Sequence, residues 1–426
     1  MSLYDKSSIA LIPSGTKASK LYSVLPANGD GDFTHSRGST ATRVNKDGFI
    51  ESVATNVPRL DYPLIDGVVQ DCPALLLEPS RTNIQGYSES FSNWSKVNVT
   101  ELSNQTTSPD GNQTADSVKE NSGVNSKFIY LNESVTSGND YTYSVFAKYN
   151  GTRYIQLTGS VGFGTGHANF DLQDGIITLE SSVLDASITE YPNDWYRITL
   201  KLSCTTTTTS GRFLIALINS ANAGRVATYA GDTSNGVYLW GAQFEISDYP
   251  TSYIQNLSTG TTTRSADACN GSGTSTDINS EEGVLFAEIA ALSNADLIHR
   301  RITLSDGTSN NVVRIAYDTG SQRISLVLYD GSNQCVFQAT SSNSAITDVL
   351  DFNKVALSYK QNEFKCFING TQFGSTVTSG NTFSAGTLTE LAFDNGGGGN
   401  VFLGKCKQLI VFNEAFTDAE LTTLTT

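Results

Sequence analysis

The chain has 426 residues, enough for two or three domains with a core in each. Hydrophobic residues make up 38% and aromatics 10%, which excludes a disordered chain; a net charge of −15 excludes general binding to phosphate backbones. Only 16% of residues are charged, and Gly, Thr, Ser and Asn abound, a mix that suits strands and tight turns and leaves little for Glu/Lys-rich helices.

Residues 1–86 are turn-rich, with Asn28-Gly29-Asp30-Gly31 and Asn45-Lys46-Asp47-Gly48 set between short strand-like pieces. Leu75-Leu76-Leu77 before Glu78-Pro79 reads as a buried strand with a sharp end. Arg37, Arg43, Arg59 and Arg81 stand out in this part of an acidic chain. Arginines near turns tie loops together through carbonyls and carboxylates; docking onto an acidic partner surface is the alternative use.

Residues 87–254 carry the pattern of a β-sandwich, with strands expected at 127–131, 141–149, 153–159, 167–172, 195–202, 211–218 and 236–246. Tyr238, Trp240, Ala242, Phe244 and Ile246 fall at every second position, which places them on one face of the last strand. Opposite them Val237 and Leu239 are apolar while Gln243 and Glu245 are polar, so this strand should leave the core half-exposed before Asp248-Tyr249-Pro250 ends it. Gly162-Phe163-Gly164-Thr165-Gly166 has no helix after it and reads as a turn or bulge, not a phosphate loop.

Residues 255–282 are dominated by Thr, Ser, Gly, Asn and Asp and read as a surface linker. A second β-domain over 283–426 follows, with strands near 284–290, 300–304, 312–317, 323–329, 335–339, 353–360, 363–369 and 401–412. Asn369-Gly370 signals a type I′ hairpin, and Gly396 to Gly399 a mobile loop. Thr417 and Glu420 form a capping box for a closing helix that turns Leu421 and Leu424 inward. The fold class is thus all-β: two tandem antiparallel sandwiches (jelly rolls) after a turn-rich N-terminal β region, with one short C-terminal helix.

No apolar run could span a bilayer, and the first six residues carry neither a basic nor an apolar leader, so assembly in a cytoplasm without membrane insertion is expected. The cysteines at 72, 204, 269, 335, 366 and 406 form no C-x-x-C pair and are expected to be reduced and mostly buried. His35, His167 and His299 lack ligand-spaced neighbours, which argues against zinc. The metal question is otherwise open: loops such as Asp306-Gly307 and Asp394-Asn395 could hold calcium through carboxylate and carbonyl oxygens, without EF-hand spacing.

Hydrolysis of a glycoside needs two carboxylates facing one bond, and the nearest pair, Glu245 and Asp248, straddles a strand end. No Ser or Cys elbow accompanies the histidines, so a triad is not arguable either. Exposed rings can stack on the apolar face of a sugar. The candidates are Trp94, Trp195 and Tyr196 in the first sandwich, and Tyr317, Tyr329 and Phe393 with Asp394 and Asn395 in the second; most rings at strand periodicity are core.

Several segments resemble bacteriophage virion structural proteins: Gly31-Asp32-Phe33-Thr34, Ser39-Thr40-Ala41-Thr42-Arg43-Val44-Asn45, Asn56-Val57-Pro58-Arg59-Leu60-Asp61-Tyr62 and Leu76-Leu77-Glu78-Pro79-Ser80-Arg81-Thr82-Asn83. In that group a carbohydrate-binding-module-like jelly roll follows, closing in a series like Trp240-Gly241-Ala242-Gln243, Tyr249 to Ile254 and Thr263-Arg264-Ser265-Ala266-Asp267. The remainder resembles a concanavalin A-like or laminin-G-like lectin domain, on the hairpin at Asn369-Gly370 and the run from Gly404 to Leu421. The resemblance implies a non-catalytic virion appendage (tail fibre, spike or head fibre) that binds host-surface glycan. It also implies a homotrimer attached to other virion proteins, with Arg37, Arg43, Arg59 and Arg81 as docking candidates. A purely structural capsid, neck or tail component is the alternative, and a polysaccharide depolymerase the second.

Overall fold

The computed structural model describes residues 2–294, 299–318, 322–343 and 345–426. Its architecture is antiparallel β throughout, as the alternating patterns require, and among the described residues the one α-helix is Asp418–Thr425.

The first sandwich packs two six-stranded sheets. One runs Ser95–Val97, Lys127–Tyr130, Phe213–Ile218, Tyr154–Gly159, His167–Asp171, Ile176–Ser181; the other runs Val99–Thr106, Ala115–Glu120, Gly236–Ile246, Asp140–Asn150, Trp195–Ser203, Asp185–Tyr191. Aromatic rings fill the space between them: Tyr143 stacks on Phe213 at 5.1 Å, with Tyr141, Phe163 and Phe244 alongside.

Within Gly236–Ile246 the alternation breaks at Gly241. Ser144 pairs Gln243 while Phe146 pairs Trp240, so Gly241 and Ala242 together oppose Val145, and Gly241 takes φ +62°. One extra residue reverses the parity. Val237, Leu239, Ala242 and Phe244 therefore share the main core, and Trp240 joins Phe146, Trp195 and Tyr253 on the other side. The expected single face for Tyr238 through Ile246 does not form. Gln243 and Glu245 are buried rather than half-exposed, since Glu245 accepts from Thr251 N at 2.9 Å and Gln243 Oε1 from Ile254 N at 2.6 Å; Ile246 is 51% exposed.

The second sandwich faces a five-stranded sheet (Asn333–Thr340, Arg323–Asp330, Asn311–Tyr317, Arg300–Ser305, Glu390–Ala392) against an eight-stranded one. The larger sheet is only partly C-terminal. Glu282–Ala291 and Gly404–Phe412 lie at its centre, Gly404–Phe412 pairs with both Ser7–Leu11 and Ala74–Leu77, and Arg59–Asp61 closes the edge. The N-terminal segment thus completes the second sandwich, and Ile9, Leu11, Phe33, Leu60 and Leu75 enter its core.

Residues 255–282 are not a surface linker. Thr262–Arg264 pairs Arg81–Asn83, Ala268–Asn270 pairs Phe33–Ser36, and Asn256, Arg264, Asp267, Cys269 and Ser272 are buried. The segment buries few apolar atoms because hydrogen bonds and ion pairs hold it instead. Asn369 (φ 48°) and Gly370 (φ 81°) form the expected two-residue hairpin turn. The helix is capped reciprocally by Thr417 and Glu420 and buries Leu421 and Leu424.

Candidate functional site

The rings proposed for sugar contact are mostly enclosed. Trp94 donates from Nε1 to the Tyr87 carbonyl at 3.2 Å beside Phe91, and Trp195 donates to the Thr107 carbonyl at 3.1 Å. Both indoles, with Tyr196, Tyr317 and Phe393, are core residues. A ring surrounded by its own core offers no face to a sugar, and strand periodicity marks rings of both kinds alike. Tyr329 is half-buried at the end of its strand. Asp394 and Asn395 shape their own loop: Asp394 accepts from Gly396 N at 2.6 Å, and Asn395 Oδ1 accepts from Gly397 N and Gly399 N. Among the described residues no group of three or more His, Cys, Asp or Glu side chains is placed to hold a metal ion.

Of the four arginines, Arg37 and Arg59 are wholly enclosed and cannot touch a partner. Arg59 Nη1 donates to Glu78 at 2.6 Å and its Nη2 pairs with Asp267; Arg264 Nη1 reaches Glu78 at 2.7 Å, and Arg37 Nη1 reaches Asp267 at 3.0 Å. Ser252 donates to Glu78 at 2.6 Å through Oγ, and Asp267 accepts from Glu78 N at 2.9 Å. Burial alone would raise the Glu78 carboxyl, but the Arg264 and Arg59 guanidiniums hold it down at about 2. Asp267 is held low in the same way: Arg59, His35 and Arg37 overcome its burial. The motifs near Arg37, Arg59, Glu78, Ser252, Arg264 and Asp267, scattered along the sequence, therefore meet in one buried ionic cluster that ties the N-terminal segment to the end of the first sandwich. Arg43 is half-buried, donating to the Leu60 carbonyl at 3.3 Å, and Arg81 is half-buried, donating to the Ser80 carbonyl.

Beside this cluster lies a cleft of about 550 Å³, walled by the N-terminal segment and both sandwiches. Tyr62, Tyr191 and Tyr249 enter it from three parts of the chain, and Phe352 faces in from the second sandwich. All four rings are half-buried. Polar groups stand among them. Lys405 lies 3.1 Å from Asp61, whose charge raises the lysine's pKa, and Asp61 Oδ1 also accepts from Val44 N at 2.9 Å. Lys407 Nζ sits 4.1 Å over the Phe352 ring, and Arg197 is locked beneath by the Thr251 carbonyl at 2.8 Å and Ser144 Oγ at 2.9 Å. Half-open rings with fixed donors and acceptors between them are the lining a polyhydroxylated ligand needs.

Sequence reading missed these rings, although a signal was there. The chain contains three Tyr-Pro steps, Tyr62-Pro63, Tyr191-Pro192 and Tyr249-Pro250, and all three tyrosines line the cleft. Proline has no N–H for the ladder and keeps the residue before it extended, so the strands stop at or shortly before these steps: Tyr62 follows Arg59–Asp61, Tyr191 ends Asp185–Tyr191, and Tyr249 comes soon after Gly236–Ile246.

Residues 290–422 match the Concanavalin A-like lectin/glucanases superfamily (Laminin_G_3). The match omits the N-terminal strands that finish the larger sheet. No curated protein matches the chain in sequence. Among solved structures, the CBM40 of Ruminococcus gnavus IT-sialidase, determined alone and bound to α2,3-sialyllactose, is similar over 37% of this chain and 94% of its own, at 18% identity and a TM-score of 0.30. A mutant of the GH43 protein BlXynB from Bacillus licheniformis is similar over 96% of this chain and 86% of its own, at 9% identity and a TM-score of 0.23.

Proposed function

We propose that the chain is a non-catalytic glycan-binding protein that serves as a bacteriophage virion appendage and grips host-surface glycan in the cleft between its sandwiches. The observation that carries the reading is the convergence of Tyr62, Tyr191 and Tyr249 on one cleft with Phe352, Lys405 and Asp61 between and beside them. The lectin-superfamily match over 290–422 supports it, and the resemblance of the motif segments to virion proteins supports the appendage role. Assembly as a homotrimer, analogous to phage fibres, would raise weak single-site affinity by multivalency.

The non-catalytic part rests on the cleft's carboxylates. A glycosidase needs two carboxyls free to face one bond, whereas in this cleft Glu78 is buried against Arg59 and Arg264 and Asp61 is paired with Lys405. Incubation with host polysaccharide should release no reducing ends; release would favour the depolymerase reading. Selective binding on an array of host glycans is the expected result for the adhesin, and a blank array would favour a purely structural component. Cryo-electron microscopy of the particle tests the virion assignment, which predicts the chain in a projecting fibre or spike.

A further inference from the structure

Ile302, Leu304, Val313, Ile315, Ile324 and Leu326 point into the second core, so the residues alternating with them form the outer face of the five-stranded sheet. Arg301, Arg314, Arg323 and Tyr329 stand on that face, all half-buried. Arg301 lies opposite Ala316 and Arg314 opposite Thr303, which makes the two arginines diagonal neighbours on adjacent strands. Tyr329, opposite Val312, is diagonal to Arg314 on its other side. Neighbours of this kind are about 7–8 Å apart.

Arg37, Arg59, Arg264 and Arg153 are each met by a carboxylate. The side chains of Arg301 and Arg314 make no hydrogen bond or ion pair among the described residues; both Nε atoms are enclosed, as is the unbonded Ser325 Oγ beside Arg314. Burial and the charge of Arg301 pull the Arg314 guanidinium down to about 10, against a smaller opposing effect of Asp318. Asp318 is itself in ion-pair contact with His299, and Glu390 stands at the far edge of the sheet, opposite Ser305. Two adjacent guanidiniums thus remain without a counter-ion of their own, in a chain whose net charge is −15.

We propose that this face holds one acidic sugar unit: Arg301 and Arg314 grip its carboxylate or sulfate, and Tyr329 packs against the apolar face of its ring. A guanidinium presents parallel donors that match an oxyanion, and a bound oxyanion removes the repulsion between the two arginines. The tyrosine ring gives a sugar an advantage over a simple anion. None of these residues lines the cleft, so the site goes beyond the cleft reading and does not rest on it.

The full-length protein is titrated with glucuronic acid, N-acetylneuraminic acid, glucose 6-sulfate, glucose and inorganic sulfate, with binding read by calorimetry and saturation-transfer NMR. Saturable binding of at least one acidic sugar is expected, at least tenfold tighter than that of glucose or inorganic sulfate. Arg301→Gln and Arg314→Gln should each weaken it at least tenfold at a melting temperature equal to or above the parent's, because each relieves a like-charge contact. Tyr329→Ala should weaken it several-fold. Phe352→Ala in the cleft should leave it unchanged. The proposal is overturned if no acidic sugar saturates the protein, the result expected of a face that docks an acidic protein instead. It is equally overturned if inorganic sulfate binds as tightly as the sugars, which would mean an adventitious ion only, or if both arginine variants bind as the parent does. Loss of binding in Phe352→Ala would move the ligand to the cleft and overturn it too. Failure of the cleft reading alone would show as array binding insensitive to Phe352→Ala, with the acidic-sugar titrations unchanged.

Discussion

Glu78 and Arg264 lie 186 residues apart in the chain and meet at 2.7 Å in the interior. Between them the chain builds the whole first sandwich, so this contact brings the two ends of that sandwich together. Asp267 reaches as far back, 230 residues to Arg37 and 208 to Arg59, while Arg59 joins Glu78 from 19 residues away.

Removing one member should leave the others charged, buried and unpaired. Asp267→Asn and Glu78→Gln are each expected to cost about 3 kcal/mol of stability. Urea unfolding monitored by tryptophan fluorescence checks this, and a loss below about 0.5 kcal/mol would mean water reaches the cluster.

Stability should peak in mildly acidic solution. Burial lifts Glu133 from its ordinary 4.5 to about 7 and Asp116 from 3.8 to about 6. The folded chain therefore holds protons that the unfolded chain has released, and stability falls as pH rises from near 4 through 7. Glu78 works in the opposite sense: its contribution is complete above 4.5 and disappears as the pH falls toward 2. A melting-temperature profile should be highest near pH 5, and Glu133→Gln should flatten its decline between pH 5 and 7.

Gly241 can be tested alone. A Cβ there would meet Phe146 Cδ2 at 3.0 Å, on a backbone with positive φ. Gly241→Ala should destabilise the first sandwich by about 1–2 kcal/mol, because both the bulge and the aromatic cluster beneath it must shift. A neutral result in thermal melting would mean the bulge relaxes freely.

The fold was largely legible because alternation, the Asn369-Gly370 turn and the Thr417–Glu420 box are local signals that tertiary packing did not override. Gly241 shows the limit: one residue with positive φ reassigned every side chain after it, and no pattern of apolar residues announces a bulge. The stretch at 255–282 looked like a linker because its order comes from Asn256, Arg264 and Asp267, whose partners lie far away in sequence. The internal reading of the arginines holds for Arg37 and Arg59. Most of the candidate rings, Trp94, Trp195, Tyr196, Tyr317 and Phe393, prove to be core because periodicity locates a strand's faces but not which face meets solvent; the Tyr-Pro steps mark the half-buried rings of the cleft.

All six cysteines are free thiols; Cys72 is exposed and the other five are buried. Burial also pushes the Cys335 thiol up to about 11. A thiol reagent at pH 8 should label one site in the folded protein and six in urea. Labelling of several sites before unfolding would show that the sandwich cores open readily.

The central claim is that the cleft between the sandwiches holds glycan. Binding of the parent, Tyr62→Ala and Phe352→Ala on one host-glycan array, with melting temperatures measured alongside, tests it most directly. The account predicts a selective set of bound glycans for the parent and at least tenfold weaker binding for both variants at unchanged melting temperature. Binding that both variants retain in full, or no binding by the parent, would contradict it.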